Sequence, residues 1–231
     1  MKPPFSAEQF FDVFAAYNVA VWPAQAVLTT LAVVVALLAM RGPAWTGRPV
    51  TLALALLWAW MGVAYHWLFF TTINATAWIF GGAFVVEAGL FGWLALRAGA
   101  PAYRAELDLF GLTGAALIGY ALILYPLLGS LLGHTYPAKP TFGLPCPTTI
   151  FTVGVLLWAR PRIPWAVLVV PVLWSLVGMS AVRYFGVLED AMLPVATVLG
   201  GALIVWKGRR RAPTPLPLPP ARPSHAPARG A

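Results

Sequence analysis

The residues with the clearest capacity for chemistry lie in Gly143-Leu144-Pro145-Cys146-Pro147-Thr148-Thr149-Ile150. Cys146 is the only cysteine of the chain, fixed between two prolines and followed by two hydroxyls. Proline locks φ, removes an N–H and drives the residue before it out of the helical region. The pattern predicts Cys146 in an extended or turn conformation, with Pro147 opening a helix at its first position. The free N–H groups of that first turn would favour a thiolate at Cys146. The alternative is a buried, inert thiol in a rigid turn that leads into an apolar helix.

Two imidazoles extend the set. Cys146, His134 and His66 are ligand types that suit Zn²⁺ or copper, and a nearby histidine could also serve a nucleophilic thiol as its base. Spacing argues against both, because zinc sites pair their ligands closely and no family-specific catalytic signature surrounds Cys146. An enzyme is therefore not the favoured class. His66, flanked by Tyr65 and Trp67, equally fits an interfacial aromatic belt. The remaining chemistry belongs to Glu87, an acid inside a long apolar run, and to Asn74, Thr148 and Thr149. An acid at mid-membrane costs about 2.5–3.5 kcal/mol on insertion scales and usually faces a cavity. Glu87 is either a protonated, buried acid or a proton-coupling and substrate-contact group. Asn74, Thr148 and Thr149 would line the substrate path toward it.

The elements that must position these groups are membrane helices. The chain of 231 residues is 60% hydrophobic and only 10% charged, against about 45–50% and about 25% in soluble domains. Its mean hydropathy is +0.79. Ser6 as N-cap, with Glu8 in the first turn, predicts a helix over 6–20. Phe10, Phe11, Phe14, Ala15, Asn18 and Val19 recur on one side of it, with Glu8, Asp12 and Tyr17 between them. This reads as an amphipathic helix in the interface. Met1-Lys2-Pro3-Pro4 leads into a polar, aromatic segment rather than the apolar core of a signal peptide. Seven spans then follow, over about 24–40, 50–70, 75–96, 107–132, 147–159, 163–185 and 188–206, the fifth being short for a bilayer. The fold class is all-α: a polytopic membrane helix bundle of about seven transmembrane helices plus the interfacial helix. Residues 1–206 form one transmembrane domain, and 207–231 form a basic, Pro- and Ala-rich disordered tail.

A net charge of +8 invites a nucleic-acid reading, but the placement of the charges excludes nucleic acid as a partner. Arg41, Arg48, Arg97, Arg104, Arg160, Arg162 and the Lys207–Arg211 cluster occupy one set of loops. The alternate set holds Lys2, Lys139 and Arg183. By the positive-inside rule the N-terminus is outside and the C-terminus cytoplasmic. His66, Asn74, His134, Cys146, Thr148, Thr149, Glu189 and Asp190 then gather toward the outer face. The partners implied are the lipid bilayer and a small molecule or ion, and the sequence leaves the oligomeric state open.

Some residues carry a resemblance. Glu8-Gln9-Phe10-Phe11, Trp22-Pro23-Ala24-Gln25, Tyr65-His66 with Phe69-Phe70, Ile73-Asn74, and Tyr136-Pro137 through Phe151 resemble an uncharacterised family of bacterial multi-spanning membrane proteins, sometimes labelled permeases. The resemblance implies a membrane topology and no activity. A looser likeness links Leu57-Trp58 through Gly62 with Leu173-Trp174 through Gly178. Each is followed by a span containing Gly-Gly, as in the parallel three-plus-one-plus-three repeats of the sugar-transporting SWEET proteins. The leading functional reading is a small transporter or permease with a polar site open to the outer face. The alternatives are an outer-face Cys/His site for a metal or for thiol chemistry, and a membrane scaffold or sensor.

Overall fold

In the computed structural model, residues 4–210 are described; most of the expected disordered tail, and Lys2, lie outside these residues. Six helices are long and apolar enough to cross a membrane: α2 (Ala24–Arg41), α3 (Gly47–Thr72), α4 (Ala77–Leu96), α5 (Leu109–Leu131), α7 (Trp165–Phe185) and α8 (Leu188–Arg210). Two shorter helices complete the bundle, α1 (Ala7–Ala20) and α6 (Pro145–Leu157). A two-residue antiparallel ribbon, β1 (Ala102–Tyr103) with β2 (Ala159–Arg160), is the only strand pairing among the described residues. The protein is an all-α, multi-pass membrane bundle.

Helix α1 starts where its cap residues require. Ser6 Oγ accepts the Gln9 N–H at 3.2 Å and Gln9 Oε1 accepts the Ser6 N–H at 2.9 Å, a reciprocal capping box. Pro23 separates α1 from α2, as its missing N–H favours. The inward face of α1 differs from the expected stripe. Phe10, Val13, Phe14, Tyr17 and Asn18 are buried, whereas Val19 is exposed. The inward set repeats every three to four residues, so Val13 and Tyr17 belong with Phe10 and Phe14 on the bundle side.

Helix α6 is the axis of the bundle. Apart from Cys146, every one of its 13 residues is buried, and a helix apolar on all sides belongs in the centre. Gly114 of α5 and Gly154 of α6 let the two backbones touch. A Cβ on Gly114 would meet the Gly154 carbonyl oxygen at 2.7 Å, and one on Gly154 would meet the Gly114 carbonyl at 3.0 Å. Trp158 Nε1 fastens the far end by donating to Gly111 O at 3.0 Å.

The local conformation of Cys146 is a correction. Pro145, not Pro147, is the first helical residue, and Leu144 is the extended cap. Cys146 and Pro147 lie inside the first turn. Both prolines are tolerated there because the first N–H groups of a helix have no intrahelical acceptor.

Loops of the two charge classes collect at opposite ends. At one end Arg104 N donates to Trp158 O, Ala105 N donates to Met40 O, and Arg160 pairs with Glu106. Helix α8 runs on to Arg210, so Lys207 is helical rather than part of a tail. Its Nζ reaches Leu157 O at 2.6 Å, a cation at the carboxyl end of α6. At the other end Asn18 organises the loop before α6. Its Nδ2 donates to Pro137 O at 2.7 Å and Lys139 O at 2.8 Å, and its Oδ1 accepts from Thr141 at 2.7 Å.

Candidate functional site

The site follows from the shortness of α6. Thirteen residues rise only about 20 Å, against a hydrocarbon core of about 30 Å. Above its amino end the bundle would be hollow, and α1 and the loop before α6 roof the space. What remains is a cavity of about 190 Å³ at the arginine-poor end. An empty space of 150 Å³ accommodates benzene, so this one holds about seven or eight non-hydrogen atoms on the same scale.

Its roof is aromatic. Phe10 of α1 stacks on Phe185 of α7 with ring centroids 4.5 Å apart, and Phe5 stacks on Phe185 at 5.4 Å. Phe70 of α3 meets Phe5 edge-on at 5.6 Å and lies parallel to Tyr65 at 5.6 Å. These residues pack α1, α3 and α7 together beside the cavity. Tyr17 braces them from behind. It accepts from Trp60 Nε1 at 2.7 Å, and burial pushes its phenol up to about 12, so it stays neutral.

The floor is polar. Tyr125 of α5 donates to Asp190 Oδ1 at 2.5 Å. Cys146 lines the cavity together with both of them. The Trp174 indole Nε1 is buried without a hydrogen-bond partner, and Trp174 lines the same cavity. Beside this cluster, Glu189 Oε1 meets His134 Nδ1 at 2.9 Å. Gly129 makes room for that pair, since a Cβ there would stand 2.8 Å from Glu189 Oε1.

The expected site residues divide into groups. Cys146 and Asn74 line the cavity. Asn74 Oδ1 also accepts the Thr76 N–H at 3.0 Å, which shapes the turn between α3 and α4. Thr148 is a local lock whose Oγ1 accepts the Gly143 N–H at 3.1 Å. Thr149 is buried with its hydroxyl unpartnered. His134 pairs with Glu189 and does not line the cavity. His66 is fully buried, and neither ring nitrogen has a partner. Around it stand Phe84 at 4.7 Å, Trp174 at 5.0 Å and Phe80 at 5.9 Å. Glu87 is fully buried on α4 with both carboxyl oxygens unpartnered. Among the described residues no group of three His, Cys, Asp or Glu side chains is placed to hold a metal. Cys146, His134 and His66 therefore belong to three different surroundings.

Asp190 and Tyr125 are the members that sequence reasoning did not single out. Asp190 reads as one of several polar groups toward the outer face, and Tyr125 lies within an apolar run. A signal exists in principle, because two helices turn π-helical near the site: Met61–Trp67, which holds Tyr65, and Tyr120–Leu124, just before Tyr125. Such irregularities often mark functional positions, but no residue pattern announces them.

A family model described as a family of unknown function, DUF6064, matches residues 7–213. The chain belongs to this family. No curated protein and no solved structure matches it. The match covers the floor, all six long helices and the roof except Phe5 and Pro4, which precede it.

Proposed function

We propose that this DUF6064 protein is a small-molecule carrier of a bacterial inner membrane, loading from the outside into the cavity above α6. The observation that carries the reading is an aromatic-walled cavity whose floor holds a buried acid, Asp190, bonded to Tyr125. Pockets of this kind, mostly apolar with a few convergent polar groups, are the usual form of a ligand site. The arginine-rich end favours the cytosol, which turns the cavity end outward.

A carrier must also open toward the other side, and the buried polar groups mark the route. Phe80 borders the cavity, and Glu87 lies seven residues further along α4, about 10 Å deeper. Between them lies the ring layer of His66, Phe84 and Trp174. Unpartnered buried groups are costly and call for a reason. Proton coupling through Glu87, with His66 in the layer above, supplies one.

Cys146 provides the test, because no other cysteine has to be removed. A carrier exposes its site alternately, so a membrane-impermeant thiol reagent should modify Cys146 in right-side-out vesicles and also in inside-out vesicles. Modification from the outside alone would make the protein a receptor or sensor. Complete resistance from both sides would leave Cys146 an inert core thiol and remove the carrier reading.

A further inference from the structure

The charges around the cavity go further and name the kind of molecule it takes. The ionisable side chains that line it are Asp190, Cys146, Tyr65, Tyr125 and Tyr184. None of these is a base, and among the described residues no Lys, Arg or His lines the wall. Arg183 at the rim lies against the Tyr184 ring, 5.9 Å from its centroid. Asp190 is 3% exposed, and its hydrogen-bond partner, Tyr125, is an uncharged donor. Its neighbour Glu189, in contrast, has the imidazole of His134. A buried carboxylate ordinarily faces a cation. Asp190 borders the cavity, and among the described residues no cationic side chain borders it there.

The walls suit the same charge. Phe10, Phe14, Tyr65, Phe70 and Trp174 come from α1, α3 and α7 and all border the space. Ring faces carry the negative part of the aromatic quadrupole, and aromatic cages of this kind bind quaternary ammonium groups. A polyol would leave most of its hydroxyls unbonded against such walls, and an anion would meet Asp190. We infer that the cavity takes a small organic monocation, a compact alkylammonium or trimethylammonium group held between Asp190 and these rings. The inference rests on the reading of the cavity as a ligand site.

Three probes of similar bulk test it on the purified full-length protein in lipid nanodiscs. They are choline, its uncharged isostere with a quaternary carbon in place of nitrogen, and tert-butylacetate. Binding is measured by calorimetry and by protection of Cys146 from a small thiol reagent. Choline should bind saturably and at least about tenfold more tightly than the isostere, and tert-butylacetate should not bind. Asp190→Asn should weaken choline several-fold and leave the isostere unchanged. Phe14→Leu, which keeps the acid and removes one ring, should weaken choline several-fold and leave the isostere unchanged. If the isostere matches choline, or Asp190→Asn and Phe14→Leu both bind choline normally, the cation is wrong and the cavity still stands as a ligand site. If no probe binds while Cys146 is still modified from both membrane faces, the ligand class falls and the carrier survives. If no probe binds and Cys146 resists reagent from both faces, both readings fall.

Discussion

Replacing Phe10 by Ala should open the cavity without unfolding the bundle. Phe10 is 7% exposed, and its ring lies 4.5 Å from Phe185, 4.7 Å from Phe14 and 6.3 Å from Phe70. Truncating a buried phenylalanine costs about 3–5 kcal/mol. These contacts join α1 to α3 and α7, so the loss falls on the docking of α1 more than on the bundle. Undocking is a local opening, and its population sets the rate at which reagent reaches Cys146 while reclosing is fast. At about 1.4 kcal/mol per decade, the lower figure gives a rise of roughly a hundredfold. The assay is the rate of Cys146 modification by a small thiol reagent in native vesicles, read as a mass shift over time. Val19→Ala, at a position that is 63% exposed, serves as the matched control and should label at the wild-type rate. The thermal unfolding midpoint of the whole protein should move far less than the labelling rate. If Phe10→Ala labels within about twofold of wild type, well below the expected roughly hundredfold, α1 is not the barrier and the description of the roof is wrong.

Other outcomes follow from the same geometry. Gly81→Leu should destabilise the protein by about 1–3 kcal/mol, because a Cβ there would already lie 2.2 Å from Trp67 Nε1 and 2.9 Å from Gly62 O. Gly82→Ala, which meets nothing within 4 Å, should leave thermal unfolding in detergent unchanged. Asn18→Ala removes three hydrogen bonds that hold the loop before α6. It should cost about 1–3 kcal/mol and make the loop a site of limited proteolysis. Glu87→Gln should abolish transport by reconstituted protein while Cys146 protection by a bound ligand is retained, and equal loss of both would contradict a coupling role. A reporter that matures only in the cytosol, fused after Ala231, should be active, and an inactive fusion with normal expression would reverse the orientation.

The long helices were legible because each is a continuous apolar run bounded by arginines, prolines or glycines, and length and hydropathy need no tertiary information. The boundaries expected for α2 and α4 lie within two residues of those found. Helix α1 was legible from Ser6, but its inward face was not. Tyr17 looks polar by type, and only packing shows it fully buried beneath Trp60. The conformation of Cys146 was misread for a local reason. Proline excludes a helix interior but not a first turn, and which of two prolines starts the helix depends on how Leu144 enters the bundle.

The candidate site was legible only in part. Cys146 and Asn74 could be assigned to one end because the charges of the loops fix the end at which each span begins. Glu189 and Asp190 could be assigned there on the same basis, but not distinguished. One meets His134 and the other meets Tyr125, because helix rotation and the gap left by Gly129 send adjacent carboxylates to different neighbours. The sequence by itself determined a multi-pass apolar bundle with its basic loops gathered at one end, since hydropathy and charge placement act residue by residue. Only the tertiary structure decided that a short central helix leaves a chamber above it and that an acid closes its floor. Chambers and hydrogen bonds arise between segments remote in the chain, and no local pattern encodes their meeting.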